Sequence, residues 1–309
     1  MAKLTAVAYY AGIPARNNNP EKPQILNNFV AGVQAVGDNG ILHRGTNVID
    51  ADVALIQGYV HVHGKSAPHL QVRRNAIDYQ KKRNKRSLIV DSNLFLYKDA
   101  SNSKRYLRYS FDGVFPNTGF YFDKDIDSTR WDQISRNLGI TLKPWRTSGD
   151  HILLCLQRNG GWSMGGLDVI TWMNRTIEEI RKYDNKRTII VRPHPGDKKI
   201  KNFLRIQHKN VRLSTARDIT QDLQNAWATV IYNSSPGVAS AIEGVPVIIT
   251  DPKLGHSQSE DVSNIGIQNI VNPKMPDREQ WVRKLAMSHW NFEELKNGTA
   301  WQFFKRYVT

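Results

Sequence analysis

The chain is poor in cysteine. Cys155 is the sole cysteine among 309 residues, so no internal disulfide can form and a disulfide scaffold is excluded. It lies in the apolar run Ile152-Leu153-Leu154-Cys155-Leu156, where a thiol behaves as a small core hydrophobe. Neither CxxC nor HExxH spacing occurs, so the usual zinc patterns are missing and no metal is expected. Long hydrophobic runs are lacking too. No stretch approaches the ~18 apolar residues of a membrane span, and the opening MAKLTAVAYYAG lacks the apolar core of a secretory signal. A cytoplasmic protein is expected, or one working in the cytoplasm of a host. There is no internal repeat and no low-complexity tract, which removes solenoid and disordered classes.

Acidic residues are in deficit: 28 stand against 43 Lys and Arg, for a net charge of +15 and a pI near 9.8. That excess favours a polyanionic partner, nucleic acid first and an anionic membrane surface second. Hydrophobic residues make up 40%, enough for an ordinary globular core. The length suits two domains of about 150 residues each.

The most informative stretch is RTIIVRPHPGD, residues 187–197. Thr188 to Val191 reads as a buried parallel strand. It stops at Arg192-Pro193-His194-Pro195-Gly196, where two prolines hold the backbone extended around a histidine. Arg192 and His194 therefore stand at a strand's carboxyl end, where open α/β sheets bind ligands. A cation and an imidazole on a stiff turn suit an anion such as phosphate; an ordinary strand end with a surface ion pair would read the same way.

Taken in order, residues 4–10 form a strand, 24–36 a helix closed by Asp38-Asn39-Gly40, and 53–57 a buried strand. Pro68 opens a helix that ends in the basic run 80–86. Residues 87–90 form the next strand, with Asp91 at its end. This alternation is the pattern of a doubly wound parallel sheet. Residues 97–146 are less regular. Aromatics there alternate with Lys104, Arg105 and Arg108, which suits either bases stacked on rings beside a phosphate backbone or a lid packed on the domain edge. Lys143 to Gly149 reads as a linker. A second alternating series follows, with strands at 151–157, 188–191, 211–214, 228–232 and 245–250. Residues 277–309 read as helical, and their many large apolar groups require packing, with the first domain the expected partner. The expected division is 1–146, 147–285 and a returning helix at 286–309.

Three turns in the second half follow strands: the glycine loop at 158–166, the turn at 192–197, and Tyr232 to Gly237. In one parallel sheet they share an edge. The glycine loop, with Arg158, Gly160, Gly161 and Ser163, precedes a helix whose free N–H groups favour phosphate oxygens. Asn233, Ser234 and Ser235 precede another. With Arg192 and His194 these make a metal-free diphosphate pocket; helix capping alone explains each turn singly.

The order Arg192-Pro193-His194-Pro195, then Asn233-Ser234-Ser235-Pro236-Gly237, then Glu243-Gly244-Val245-Pro246-Val247 resembles the second domain of GT-B glycosyltransferases. The resemblance is to the capsule-polysaccharide and Kdo-transferase type and to phage enzymes that glycosylate DNA, and it spans about 150–250. In the first domain, residues 87–91 followed by Phe111-Asp112-Gly113 resemble the family's acceptor-side segment. The resemblance implies two Rossmann-like α/β domains, a nucleotide-sugar donor (a UDP-sugar favoured) and a terminal helix returning to the first domain. Many relatives carry an acid at the position of Ala239 that often holds the donor ribose; Glu243, one turn later, is the candidate replacement.

Leaving-group charge would then be stabilised by Arg192, His194, Ser234, Ser235 and the loop at Gly160-Gly161. Asp91 is the first choice for general base and Asp112 the second. For the acceptor, the net charge points to duplex DNA, since each neutralised phosphate adds affinity. His61, His63, Lys65, Lys81, Lys82, Arg83, Lys104, Arg105 and Arg108 are the candidate contacts, and a hydroxymethylated pyrimidine, flipped out, is the candidate target. A surface polysaccharide or lipid-linked glycan is the competing acceptor. Two other classes stand beside transfer. Gly161-Trp162-Ser163-Met164-Gly165 matches the G-x-S-x-G nucleophile elbow, with Asp251 and His256 as later partners. A non-catalytic nucleic-acid-binding protein would explain the charge but not three phosphate-suited turns. The oligomeric state is left open, a monomer being compatible.

Overall fold

The computed structural model describes residues 2–14, 21–58, 60, 67–98, 106–122, 126–159, 162–197, 200 and 204–308. The chain divides into two compact units: Met1–Leu138 with Arg283–Thr309, and Gly139–Val282.

In the first unit the strands are β1 (Thr5–Tyr9), β2 (Asn39–His43), β3 (Val53–Gln57), β4 (Arg86–Asp91) and β5 (Tyr106–Phe111), with helices α1 (Glu21–Ala35), α2 (Pro68–Lys82) and α3 (Ser128–Leu138). In the second unit they are β6 (His151–Cys155), β7 (Thr188–Arg192), β8 (Val211–Leu213), β9 (Ala226–Ile231), β10 (Val247–Ile249) and β11 (Asn264–Ile265), with helix α4 (Val169–Tyr183). The chain then returns to the first unit through β12 (His289–Asn291).

The first sheet has the order β12-β5-β4-β3-β1-β2. Its parallel part runs β4-β3-β1-β2, while β5 and β12 join antiparallel. The strand order reverses between β1 and β3. The second sheet, β11-β10-β9-β6-β7-β8, is parallel throughout and reverses between β6 and β9. Both are doubly wound Rossmann-like sheets, and each reversal opens a crevice at the strands' carboxyl ends.

The returning segment completes the first core. Ile25, Leu26, Phe29 and Val33 form the inner stripe of α1, and Trp301 and Phe304 are buried against the same cluster. Phe29 and Trp301 meet edge-on with centroids 5.7 Å apart, and the Trp301 indole N–H donates to Asp38 at 2.7 Å. A Cβ on Gly32 would lie 1.9 Å from the Leu295 carbonyl oxygen, so only glycine lets α1 and the helix Phe292–Lys296 approach this closely.

Three segments differ from the sequence expectation. Asp38-Asn39-Gly40 does not merely close α1 but leads into the edge strand β2. Residues 289–291 form a strand within the C-terminal segment expected to be helical. Residues 106–111, which suited either base stacking or a lid packed on the domain edge, are β5, and all six are buried. The alternation that marks a half-buried strand is missing there because both faces are covered. Those rings are core and cannot stack bases.

Candidate functional site

In the second unit the turns after β6, β7 and β9 are tied to one another at the carboxyl edge. Gln157 is the hub. Its amide donates to the Ser163 hydroxyl at 2.7 Å and accepts the Asn233 N–H at 3.2 Å. Asn233, 7% exposed, donates through its side-chain amide to the Ser163 carbonyl at 3.2 Å and to Asp251 at 2.6 Å. The Asn159 N–H donates to Asp197 at 2.9 Å, fastening the glycine loop to the turn carrying His194. The sequence reading missed Gln157, Asn159 and Asp197. Gln157 carried one signal, a polar side chain directly after the apolar run 152–156.

His194 has a defined proton arrangement. The Gly196 N–H donates to Nδ1 at 3.0 Å, so in the neutral ring the proton sits on Nε2 and remains available to donate. Burial, then the neighbouring Arg158 cation, holds its pKa below the ordinary histidine value, with Asp197 opposing. The imidazole is therefore neutral at pH 7. Arg158 is exposed. The Ser234 hydroxyl is buried and makes no hydrogen bond. Ser235 is exposed and precedes the helix Pro236–Ile242 without capping it through its side chain. The Ser235 hydroxyl, a neutral N–H donor and a cation are thus left for a ligand at the β6/β9 crevice, a set suited to phosphate oxygens, while the Ser234 hydroxyl is unbonded but closed to solvent.

Other expected donor residues are placed differently. Arg192 is occupied: it pairs with Asp222 at 2.5 Å and donates to the carbonyls of Ala216 and Arg217. A side chain at the end of β7 can point along the sheet face, and this one clamps the 214–222 segment. Glu243 caps the far end of the helix Pro236–Ile242 and pairs with Lys143. Eight residues of helical rise, about 12 Å, separate it from Ser235. Gly237 is needed for packing, since a Cβ there would meet the Ser259 hydroxyl at 2.4 Å. Gly160 and Gly161 lie outside the described residues.

The hydrolase reading loses its geometry. β6 ends at Cys155, and Ser163 sits eight residues on, in a short 3-10 turn, Trp162–Met164. A nucleophile elbow needs the serine at the sharp strand-to-helix turn itself. The Ser163 hydroxyl is held by Gln157, and Asp251 is closer to Asn233, at 2.6 Å, than to His256, at 3.6 Å.

In the first unit Asp91 stands at the carboxyl end of β4. Its carboxylate accepts from Arg108 at 2.7 Å and from the Ser92 N–H at 2.8 Å. Arg108 is 5% exposed and orients Asp91; it is no surface contact for DNA. Asp112 is at the opposite edge. β5 runs antiparallel to β4, and Asp112 accepts the Ser87 N–H at 2.9 Å and pairs with Arg86 at 2.9 Å. The strand rise between Ser87 and Asp91 puts the two carboxylates roughly 13 Å apart, so they cannot serve one acceptor. The basic run also belongs to that far edge, where α2 ends and β4 begins. Arg83 pairs with Asp50, and Lys85 with Asp50 and Asp52, while Lys81 and Lys82 are exposed. His61, His63, Lys65, Lys104 and Arg105 lie outside the described residues. Among the described residues no three His, Cys, Asp or Glu side chains gather as metal ligands, and no helix is long and apolar enough to cross a membrane.

Two doubly wound units, the second with its open crevice flanked by these turns, have the architecture of the GT-B fold. Two solved structures share it. One is Thermosulfurimonas dismutans KpsC, beta Kdo 2,4 transferase, at 14% identity and TM-score 0.57, covering 92% of this chain and 91% of that chain. The other is the KpsC beta Kdo 2,7 transferase of the same organism, at 11% identity and TM-score 0.53, covering 97% and 99%. No protein-family model and no curated protein matches the chain.

Proposed function

We propose that the protein is a glycosyltransferase that binds a nucleotide-sugar, a UDP-sugar in the first instance, at the β6/β9 crevice and transfers the sugar to a hydroxyl of a glycan. The carrying observation is the set of unengaged donors at that crevice: His194 Nε2–H and the Ser235 hydroxyl, beside Arg158. As the bond from sugar C1 to the phosphate oxygen breaks, negative charge grows on the leaving phosphate, and fixed donors stabilise it without reorganising. His194 supplies a neutral N–H, so it adds a hydrogen bond without a permanent salt link that would slow release. Asp91, oriented by Arg108, takes the acceptor hydroxyl proton.

A glycan acceptor is supported by what the described residues present. The aromatic segment is a buried strand, Arg108 is internal, and the basic run stands on the edge away from Asp91. The two solved structures of like fold are named as transferases of Kdo, which supports sugar transfer. Hydroxymethylated duplex DNA keeps the support of the +15 net charge and enters the test.

The test is nucleotide release from UDP-, GDP-, ADP- and CMP-sugars with a glycan panel, with hydroxymethylated duplex DNA, and with neither. Release that rises with a glycan and falls about 100-fold or more in His194→Ala is expected. Release driven by DNA alone would move the acceptor, and no release from any donor would end the proposal.

A further inference from the structure

The first unit has a crevice of its own that the donor site does not explain. Its strand order reverses between β1 and β3, and three basic side chains collect at the carboxyl ends of those strands. Arg73 is 7% exposed. Its Nε donates to the Gly12 carbonyl, just past β1, at 2.8 Å. Its Nη1 lies 3.6 Å from the position of a Cβ on Gly58, the residue after β3. The guanidinium therefore spans the reversal point. His69 stands one helical turn before it on α2, on the same face, and Lys22 is in the first turn of α1.

These charges are not balanced. Arg73 has no carboxylate partner among the described residues, and burial alone lowers its pKa to about 10. Lys22 is lowered by burial and by Arg73, with Glu21 opposing, and His69 by burial, Arg73 and Lys22. A buried cation without a counter-ion is costly and is ordinarily paired or ligand-bound. The surroundings add positive potential. α1 and α2 both start at this edge, and the cap position of α2 is Ala67, whose side chain satisfies none of the free amides.

We propose that Lys22, His69 and Arg73 form a binding site for a phosphate group carried by the acceptor, so that the glycan is a phosphorylated one. Two cations beside an imidazole donor match a dianion better than the single charge of a carboxylate. A guanidinium this recessed is reached by one protruding phosphate, whereas the phosphate rows of a duplex are met by exposed side chains. The assignment of this phosphate to an acceptor rests on the transferase reading; the anion site itself does not.

The test is calorimetric titration of the full chain with mannose 6-phosphate, mannose, glucuronate, inorganic phosphate and a hydroxymethylated DNA duplex. It is carried out in a His194→Ala background so that binding at the second unit does not contribute. Mannose 6-phosphate should bind, inorganic phosphate should compete, and mannose should not bind. Arg73→Met should weaken mannose 6-phosphate about tenfold or more, and Lys22→Gln and His69→Gln about threefold or more each. If Arg73→Met fails to fold, the two half-buried positions carry the test. With His194 restored, nucleotide binding should be unchanged in these variants, which separates failure here from failure of the donor site. The proposal is overturned if the unsubstituted site ignores phosphate, if Lys22→Gln and His69→Gln bind as well as their parent, or if glucuronate binds as tightly as mannose 6-phosphate. It is also overturned if the substitutions weaken the duplex and leave mannose 6-phosphate unaffected.

Discussion

His289 should make the first unit acid-sensitive. It is 0% exposed, at the start of β12. Its Nδ1–H donates to the Leu285 carbonyl at 2.7 Å, and its Nε2 accepts the Leu94 N–H at 3.2 Å. Phe95 packs on the ring at 4.5 Å between centroids. A second proton would land on Nε2, donor against donor. Burial first, then Arg108 and Arg130, push the pKa down to about 3, against the opposing bond to Leu285. The sign follows directly. Between about 6.5, the ordinary histidine value, and the folded value the unfolded chain holds a proton that the native state refuses. The stabilisation is therefore full above about pH 6.5 and falls on acidification by about 1.4 kcal/mol per pH unit, or about 2.5 kcal/mol from pH 6.5 to 4.5.

His289→Asn removes the titration. It can keep a donor to Leu285 but leaves the Leu94 N–H unpaired, costing about 1–3 kcal/mol at pH 7.5. Urea unfolding of both proteins at pH 7.5, 6.5, 5.5 and 4.5 gives two curves whose difference isolates His289, since every other group is shared. The variant should start less stable, and the gap should close or invert by pH 4.5. A gap that stays constant across that range would refute the reasoning.

Other substitutions address the site and its frame. Asp91→Asn should abolish transfer while nucleotide binding persists, and it should also lower the melting temperature because Arg108 loses its ion; full activity would remove Asp91 as the base. Asp222→Ala should destabilise the second unit by about 1–3 kcal/mol by leaving the partly buried Arg192 with carbonyl partners but no counter-ion, measured by thermal unfolding, and an unchanged melting temperature would show that the clamp is dispensable. Gly32→Ala should be among the most damaging small substitutions, because its methyl meets backbone rather than a movable side chain; a folded variant of unchanged stability would show that α1 can shift.

Much of the architecture was readable from local pattern. Apolar runs such as Val53–Gln57 and Thr188–Arg192 are strands because a parallel sheet buries both faces, and the stripe through Ile25, Phe29 and Val33 marks a helix by its period. The Pro-His-Pro turn and the Asn-Ser-Ser turn were legible as strand ends because proline and short polar residues act locally. Long-range pairing was not legible. β5 hid its strand character because its polar members, Arg108 and Ser110, are buried beside aromatics, and β12 is a strand only because β5 offers it an edge.

What the sequence determined by itself was chemistry with a local cause: the alternation of elements, the turns that end them, and the residue types at strand carboxyl ends. What only the tertiary structure decided was which of those groups remain unengaged. Arg192 and His194 are two residues apart, yet one is held by Asp222 and the carbonyls beyond it while the other keeps a free N–H. Asp91 and Asp112 flank one strand pair, yet antiparallel pairing sends them to opposite edges. Arg73 looked like one more charge on a helix until the fold buried it between Gly12 and Gly58 without a counter-ion. A side chain's availability depends on partners far away in the chain, and local pattern holds no record of them.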